Sequence, residues 1–313
     1  MIDRMYQALK PSRSSFAPIR DHRYHVLQWG ERQADQPPLV LVHGWMDVAA
    51  SWQFVVDALA QDRWIVAPDW RGFGQSRVLR GPDHVAPPVD CYWFPDYMAD
   101  LDALLDHFAE QQPVDLIGHS MGGNIAMMYS GVRPERIRRL INLEGFGLPA
   151  TRPAQAPERY AKWMDEVKAL RQGEKDLKDY DSAEGVARRL MKTNPRLSQD
   201  KAVWLAHHWA AKNAQGRWAI QGEPAHKITN ANLYQVGEAL AIYARISAPV
   251  LSVTASDDSL SQWWKGQFSL AEYKERLKSV PQVKESVIQD AGHMMHHDQP
   301  LALAQLIEEF LGG

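Results

Sequence analysis

Short apolar runs alternate with helical patterns along the first part of the chain. The runs at 38–42, 64–67 and 114–117 are rich in β-branched residues and lead into Gly, Pro or Asp, which is typical of buried parallel strands. Between them, 51–60 and 97–108 carry apolar residues at the period of an amphipathic helix. We therefore predict right-handed β-α-β units that form a mostly parallel central sheet with helices on both faces.

The alternation continues with a helix at 120–131 and a strand at 139–143, and then it stops. It resumes with strands at 249–253 and 283–288, and a helix at 301–311 ends the pattern. The interval between the two blocks is rich in Lys, Arg, Gln and Ala, and its patterning is mostly helical. This interruption predicts an insertion into a single α/β unit.

The predicted organisation is a core formed by 1–148 and 246–313, with a helical cap at 149–245. We expect the cap to cover the carboxyl ends of the strands, where open α/β sheets bind their ligands. Ahead of the first parallel strand, 14–29 predicts an antiparallel pair at the edge of the sheet. The predicted fold class is therefore α/β.

Composition and charge narrow the possible functions. The 313 residues carry a formal net charge of −3 with Lys and Arg spread along the chain, so charge does not favour nucleic acid or an anionic membrane. The single cysteine, Cys91, excludes an intramolecular disulfide and a multi-cysteine metal site. No stretch approaches the roughly 20 apolar residues of a membrane helix, and residues 1–10 lack a secretory signal pattern. We expect a cytoplasmic protein without a membrane partner, and the sequence does not predict its oligomeric state.

The segment 118–122 has the pattern G-x-S-x-G between a predicted strand and a predicted helix, which is the context that a nucleophile turn requires. Ser120 would lie on a tight strand-to-helix turn, where bulky neighbours would clash with the adjacent elements. The turn would expose the hydroxyl at a helix N-terminus, where developing negative charge is favoured. A chance pentapeptide in a tight turn is the alternative, and Ser120 is the preferred candidate nucleophile because partners for it follow.

The sequence predicts an oxyanion hole formed by two backbone amides, one next to Ser120 and one on an earlier loop. In sites of this type one amide follows the nucleophile, and a second comes from the loop after an earlier strand. Met121 and Trp45 occupy those positions, and Gly44 would let the loop turn towards a substrate oxygen. Each such donor supplies about 3 kcal/mol to the transition state. For His43 we expect a structural role, in which it holds the loop by hydrogen bonds.

His293 is the candidate general base. It follows the last predicted strand, precedes the last helix and comes after the serine in the chain, as in sites of this type. The nearby His296, His297 and Asp298 raise the alternative of a metal site that includes His293. Ligands on one short turn would need a further contributor from elsewhere, and no H-E-x-x-H spacing occurs. We therefore expect neither a metal nor a cofactor.

The sequence leaves open which carboxylate orients His293. Asp257 and Asp258 follow one predicted strand, although Asp-Asp-Ser is also typical of a solvated turn. Glu144 ends another predicted strand and is followed by Gly-Phe-Gly, so we expect it to be partly buried and to need a partner. We favour Glu144, and Asp258 or Asp257 is the alternative.

These motifs resemble those of the α/β-hydrolase superfamily along the whole predicted core. The matching segments are 43–45, 69–76, 118–123 and 292–293. Within the superfamily, 188–198 resembles the cap of the serine hydrolase-like group. The resemblance implies the α/β-hydrolase fold with a cap insertion.

The haloalkane dehalogenases and the coelenterazine luciferase relatives are similar as well, and some of them have their acid at the position that Glu144 occupies here. Dehalogenases have an Asp nucleophile followed by a halide-binding Trp, whereas this chain has Ser120 and Met121. That difference argues against dehalogenase and epoxide hydrolase activity. The G-x-x-D pattern of the superfamily fits at Asp258, but Ala255 stands where the pattern has Gly.

The segment 69–76 contains two glycines and several polar residues. Arg71 or Phe73 could reach the mouth of a pocket. We prefer the interpretation of a structured turn in which Asp69 pairs with Arg71.

The sequence therefore predicts a serine hydrolase that acts on a small or medium apolar ester through an acyl-enzyme. Hydrolysis of a carbon–carbon bond, a lactone or an amide would use the same residues and stays an alternative. A second alternative is a receptor on the same fold that turns its ligand over slowly. The expected partner is a small apolar molecule, and some tryptophans of the predicted cap are candidates to line its pocket.

Overall fold

A mostly parallel sheet forms the centre of the protein. In the computed structural model, residues 6–33, 36–79 and 89–312 are described, and within them the sheet has nine strands. The strands of the described residues, three of which (β8, β9 and β10) lie outside this sheet, are β1 Arg13–Ile19, β2 His22–Trp29, β3 Leu39–Val42, β4 Ile65–Pro68, β5 Arg77–Val78, β6 Val114–His119, β7 Ile137–Leu143, β8 Asp179–Tyr180, β9 Ala210–Lys212, β10 Trp218–Ile220, β11 Val250–Ala255 and β12 Val283–Ile288. The order across the sheet is β1-β2-β4-β3-β6-β7-β11-β12, and β5 pairs with β2. From β4 to the far edge at β12, neighbouring strands in this order pair in parallel. At the opposite edge, β1 and β2 form an antiparallel pair.

Helices cover both faces of the sheet. They are α1 Gln53–Ala58, α2 Phe94–Ala109, α3 Met121–Val132, α4 Ala156–Arg171, α5 Ala183–Thr193, α6 Gln199–Trp209, α7 Val236–Tyr243, α8 Ser259–Trp264, α9 Leu270–Leu277, α10 Met295–Asp298 and α11 Pro300–Gly312. Helices α2, α3, α7 and α9 share one apolar core, and α1, α10 and α11 share the other. No helix in the described part of the chain is both long and apolar enough to cross a membrane.

Strand β3 shows why the apolar runs of the sequence form central strands. Val40 and Val42 pack into the core on one face, whereas Leu39 and Leu41 pack into the core on the other. Successive side chains of a strand point to opposite faces, so a strand covered on both faces needs an apolar residue at every position.

The predicted fold class is confirmed, and the element boundaries differ by a few residues. The strand predicted at 249–253 continues to Ala255, two residues beyond Val253, which pairs with the last residue of β7. The helix predicted at 51–60 begins as a 3₁₀ turn at Ala49–Trp52 and ends earlier, at Ala58. The antiparallel pair predicted at 14–29 corresponds to β1 and β2.

The segment between β7 and β11, called the inserted segment below, contains a small sheet in addition to α4 to α7. Strands β8, β10 and β9 pair antiparallel in that order. The sequence pattern did not predict them because strands of two or three residues are too short to show alternation. The inserted segment contacts loops that follow β3 and β4: Trp209 Nε1 donates to Asp47 Oδ1 at 3.2 Å, and Gly74 N donates to Gln221 O at 2.9 Å.

Candidate active site

Ser120 lies at the turn between β6 and α3. Its φ angle is 53°, in the left-handed region that is strained for a residue with a Cβ. Ser120 N donates to Leu143 O at 2.8 Å, and Asn124 N donates to Ser120 O at 2.9 Å. These hydrogen bonds hold the strained serine at the N-terminus of α3, at the carboxyl edge of the sheet.

Close packing of the backbone explains the glycines around Ser120. A Cβ on Gly122 would lie 2.4 Å from Val42 O, and a Cβ on Gly118 would lie 2.4 Å from Gly122 O. A Cβ on Gly44 would lie 3.1 Å from Ser120 Cβ. The glycines therefore allow β3, β6 and α3 to approach one another and bring the loop after β3 beside the serine.

Glu144 and His293 are joined by a hydrogen bond. Glu144 starts the loop after β7 with a φ angle of 51°, and 3% of its surface is exposed. Its Oε2 accepts from His293 Nδ1 at 2.7 Å, and its Oε1 accepts from Ala255 N at 2.9 Å. Each carboxylate oxygen thus has a donor, which offsets the cost of burying the charge.

The hydrogen bond to Glu144 fixes the tautomer of His293. A carboxylate oxygen accepts and does not donate, so Nδ1 carries the proton and Nε2 keeps its lone pair. Burial lowers the pKa of His293, and the hydrogen bond and charge of Glu144 oppose that shift. The neutral imidazole is therefore the stable form near neutral pH, and this is the form that a general base needs.

Two further contacts hold the His293 loop beside the turn of Ser120. His119, the residue before the serine, donates from Nε2 to His293 O at 2.7 Å, and the two imidazole ring centroids are 4.6 Å apart. Trp263 of α8 packs edge-to-face against the His293 ring, with centroids 4.0 Å apart. The imidazole therefore has an aromatic neighbour on β6 and another on α8.

The amides predicted to form the oxyanion hole lie on the two loops that meet at Ser120. Met121 is the first residue of α3, where backbone N–H groups have no acceptor within the helix. Neither the Met121 nor the Trp45 amide donates to another group within residues 6–33, 36–79 and 89–312. His43 holds the loop after β3, because its Nε2 accepts from Trp70 N at 2.9 Å.

Asp257 and Asp258 have partners other than His293. Asp258 is exposed and caps α8, with its Oδ1 accepting from Ser261 N at 2.9 Å. Asp257 forms an ion pair with Arg196 of the inserted segment, with 2.7 Å between Oδ2 and Nη1. Of the three carboxylates considered from the sequence, Glu144 is the one that the fold brings to the imidazole.

A second group of ionisable side chains lies close to these residues. Asp47, His119 and His296 come from the loop after β3, the end of β6 and α10, and all three are buried. One ligand atom from each lies within 4.8 Å of the other two. Among the described residues, these three could together hold a metal ion, whereas Asp298 accepts from Gly292 N at 2.8 Å.

The segment 69–76 forms a turn, but the expected pair between Asp69 and Arg71 is wrong. Arg71 Nε and Nη2 donate to the two carboxylate oxygens of Asp100 at 2.5 and 2.8 Å. Asp69 instead accepts from His25 Nδ1 at 2.7 Å. The side chains of Asp69 and Arg71 point in different directions from the turn, so their closeness in sequence did not predict their actual partners.

Sequence reasoning did not identify the contacts that His119 and Trp263 make with His293. His119 fills a variable position of G-x-S-x-G, so the motif carries no signal for it. Trp263 is on a short helix of six residues, and its contact depends on where α8 lies relative to the His293 loop.

Comparisons with known proteins agree with this architecture. The chain is similar to a serine hydrolase-like protein from Danio rerio, with 26% identity over 289 residues that make up 88% of this chain and 81% of that protein. A 2-hydroxymuconate semialdehyde hydrolase from Pseudomonas sp. (strain CF600) is 33% identical over 143 residues, which are 42% of this chain and 46% of that protein. The structure of a thioesterase domain from the curacin biosynthetic pathway has a TM-score of 0.79 and 23% identity, and the match covers 95% of this chain and 99% of that chain. The family model for the alpha/beta hydrolase fold matches residues 37–300, and the chain therefore belongs to the α/β-hydrolase family.

Proposed function

We propose that this hydrolase cleaves a small or medium apolar carboxylic ester, with Ser120 as nucleophile, His293 as general base and Glu144 as the acid of the triad. The hydrogen bond of 2.7 Å between Glu144 Oε2 and His293 Nδ1 carries the proposal. It gives the imidazole the tautomer that accepts a proton at Nε2, and the contacts of His119 keep that ring beside the serine turn.

The first half of the proposed reaction forms an acyl-enzyme. Ser120 Oγ attacks the ester carbonyl carbon while His293 Nε2 takes the hydroxyl proton, and the amides of Trp45 and Met121 bind the oxyanion. Collapse of the tetrahedral intermediate breaks the bond between the acyl carbon and the alcohol oxygen. The alcohol leaves with the proton from His293.

The second half releases the acid by the same steps. Water attacks the acyl carbon as His293 Nε2 takes its proton, and the second tetrahedral intermediate expels Ser120 Oγ, which recovers a proton from the imidazole. Glu144 stays ionised throughout and stabilises the imidazolium that forms twice in each cycle.

Exposed aromatic side chains near the site support an apolar substrate. Trp45 is 53% exposed on the loop that carries an oxyanion amide, and Trp263 is 47% exposed against the His293 ring. An ester with an alkyl or aryl group would bury part of this apolar surface on binding, which is favourable. We propose that the inserted segment, 149–245, acts as the cap that closes over this group.

The test is hydrolysis of p-nitrophenyl esters from acetate to octanoate by the wild type, Ser120→Ala and Ser198→Ala. Ser198 is an exposed serine at the start of α6 and serves as the matched control. We expect repeated turnover by the wild type and the control, and a loss of at least about 10³-fold in kcat/KM for Ser120→Ala. Equal rates for Ser120→Ala and the wild type would overturn the assignment of the nucleophile.

Hydrolysis of a carbon–carbon bond is the second candidate. The relative from Pseudomonas is named as a hydrolase of 2-hydroxymuconate semialdehyde, a compound that has no ester, lactone or amide bond to hydrolyse. The two candidates separate when both substrates are assayed on one preparation. A kcat/KM for the semialdehyde at least about tenfold above that for the best ester would favour the second. A single burst of p-nitrophenol without turnover would favour a slow receptor.

A further inference from the structure

A buried set of ligand-type side chains adjoins the proposed base. The exposed fractions of Asp47, His119 and His296 are 3%, 1% and 0%. The three residues are far apart in sequence, so the fold assembles them at the carboxyl edge of the sheet. His119 also donates to His293 O, which links this set to the base.

The atom that His119 presents to this set is an unprotonated ring nitrogen, Nδ1. Its Nε2 donates to a carbonyl oxygen, which can only accept, so the proton is on Nε2 and Nδ1 has none. Nδ1 is buried and has no hydrogen-bond partner within the described residues. Burial lowers the pKa of His119 well below its ordinary value, and the ring therefore stays neutral and available as a ligand.

The oxygen that Asp47 presents is also without a donor. Its other oxygen, Oδ1, accepts from the groups Val48 N, Ser51 Oγ and Trp209 Nε1. Oδ2 has no hydrogen-bond partner in the described part of the chain.

His296 completes the set. Neither of its ring nitrogens has a hydrogen-bond partner among residues 6–33, 36–79 and 89–312, and Nε2 lies 3.6 Å from Asp47 Oδ2. Buried acceptors without a donor are costly. A single cation can accept lone pairs from Asp47, His119 and His296 together.

We propose that Asp47 Oδ2, His119 Nδ1 and a ring nitrogen of His296 form a binding site for a divalent transition-metal ion such as Zn²⁺. Two imidazoles and one carboxylate are ligands that Zn²⁺ takes in proteins. Ligand atoms about 2.1 Å from a tetrahedral ion lie about 3.4 Å from one another, close to the separation between His296 and Asp47. Water would fill the fourth position.

Binding of the ion is expected to inhibit ester hydrolysis. The ligand atoms lie within 4.8 Å of one another, whereas the ligand atoms of a tetrahedral ion lie about 3.4 Å apart, so coordination draws them closer together. His119 precedes Ser120 and holds the carbonyl of His293, and its movement therefore misaligns nucleophile and base. This consequence rests on the proposed function, whereas binding of the ion does not.

The experiment uses the full chain after removal of metals with EDTA and exchange into chelator-free buffer. Zn²⁺ affinity is measured by competition with a chromophoric chelator, and Co²⁺ is followed by its visible absorption bands. The tested variants are His296→Gln and Asp47→Asn. The controls are His297→Gln, a buried neighbour outside the set, and His207→Gln, an exposed histidine.

We expect one equivalent of Zn²⁺ in the wild type and in both controls, with affinity at least about 100-fold weaker in His296→Gln and Asp47→Asn. Ester hydrolysis by the wild type should fall with occupancy and return when chelator is added. Binding that is undiminished in His296→Gln, or no stoichiometric binding by the wild type, would overturn the site.

A measurement on the wild type alone covers the case in which the variants do not fold. Crystals soaked in Zn²⁺ are expected to give an anomalous difference peak within about 2.1 Å of Asp47 Oδ2, His119 Nδ1 and a nitrogen of His296. A peak on His293 or on surface histidines instead would contradict the proposal. A water-sized peak without anomalous signal at these residues would identify a buried water as the occupant.

Discussion

The ends of β7 and β11 lie side by side in the sheet, and each is followed by a carboxylate, but the two ends differ in backbone and in burial. After β7, the left-handed φ of Glu144 keeps its carboxylate inside, where it accepts from His293 Nδ1 and Ala255 N. After β11, the chain leaves the sheet, and Asp258 caps α8 in solvent. Position at a strand end therefore does not distinguish the two carboxylates, whereas burial and two donors make Glu144 the better candidate for the acid of a triad.

Hydrogen bonds also join the two strand ends. The donor to Glu144 Oε1 is the amide of Ala255, the last residue of β11. In turn, Glu144 N donates to Val253 O at 3.0 Å. The end of β11 thus supplies an amide that orients the carboxylate of its neighbour, and the helix that follows β11 supplies Trp263 to the imidazole.

The largest expected difference between the two ends is in catalysis. Glu144→Gln keeps the shape of the side chain but removes the charge that stabilises the imidazolium, so we expect kcat to fall by about 10³- to 10⁴-fold. Asp258→Asn keeps a good N-cap, and we expect kcat within about twofold of the wild type. Steady-state kinetics on the best p-nitrophenyl ester give both values.

Circular dichroism and thermal unfolding serve as controls, because Glu144 is buried and its substitution could also lower stability. If folded Asp258→Asn loses activity and folded Glu144→Gln keeps it, the assignments of the two strand ends are reversed.

The pH dependence of kcat/KM sharpens the comparison. Burial lowers the pKa of His293 from its ordinary value of 6.5, and Glu144 raises it in opposition. Activity should therefore rise with pH through a midpoint below 6.5 in the wild type, because the neutral imidazole is the base. Loss of the Glu144 charge removes the raising effect, so Glu144→Gln should show a still lower midpoint. Asp258→Asn should match the wild type, and a shift in that variant would place its charge near the imidazole.

The sequence predicts the parts of this site that depend on local pattern. G-x-S-x-G between a strand and a helix placed Ser120 on the turn that the structure shows, and the apolar runs gave the central strands. The choice between Glu144 and Asp258 stayed open because it depends on which carboxylate is buried, and burial is a tertiary property. The set of Asp47, His119 and His296 gives no spacing signal for the same reason, since its members come from three separate parts of the fold, the loop after β3, the end of β6 and α10.

A smaller effect is expected from the aromatic contact that α8 makes with the base. Trp263→Leu removes an edge-to-face pair worth about 0.5–1.5 kcal/mol, so we expect kcat/KM to fall by about two- to tenfold. Trp264→Leu is the matched control, because Trp264 packs against the core and not against His293; it should lower the unfolding temperature with little change in kcat/KM of the folded protein. Equal kinetic effects of the two substitutions would mean that the contact does not position the base.

The smallest expected effect concerns stability at the end of β11. Asp258 Oδ1 accepts from Ser261 N, so Asp258→Ala leaves an N-terminal amide of α8 without its cap and should lower the free energy of unfolding by about 1 kcal/mol. Asp258→Asn retains the acceptor and should cost a fraction of that. Urea denaturation of the two variants measures the difference, and kcat measured alongside should change little in either. A loss of kcat in Asp258→Ala without a loss in Asp258→Asn would show that α8 must be capped for Trp263 to hold the base. The end of β11 would then affect catalysis through the position of α8 and not through the charge of Asp258.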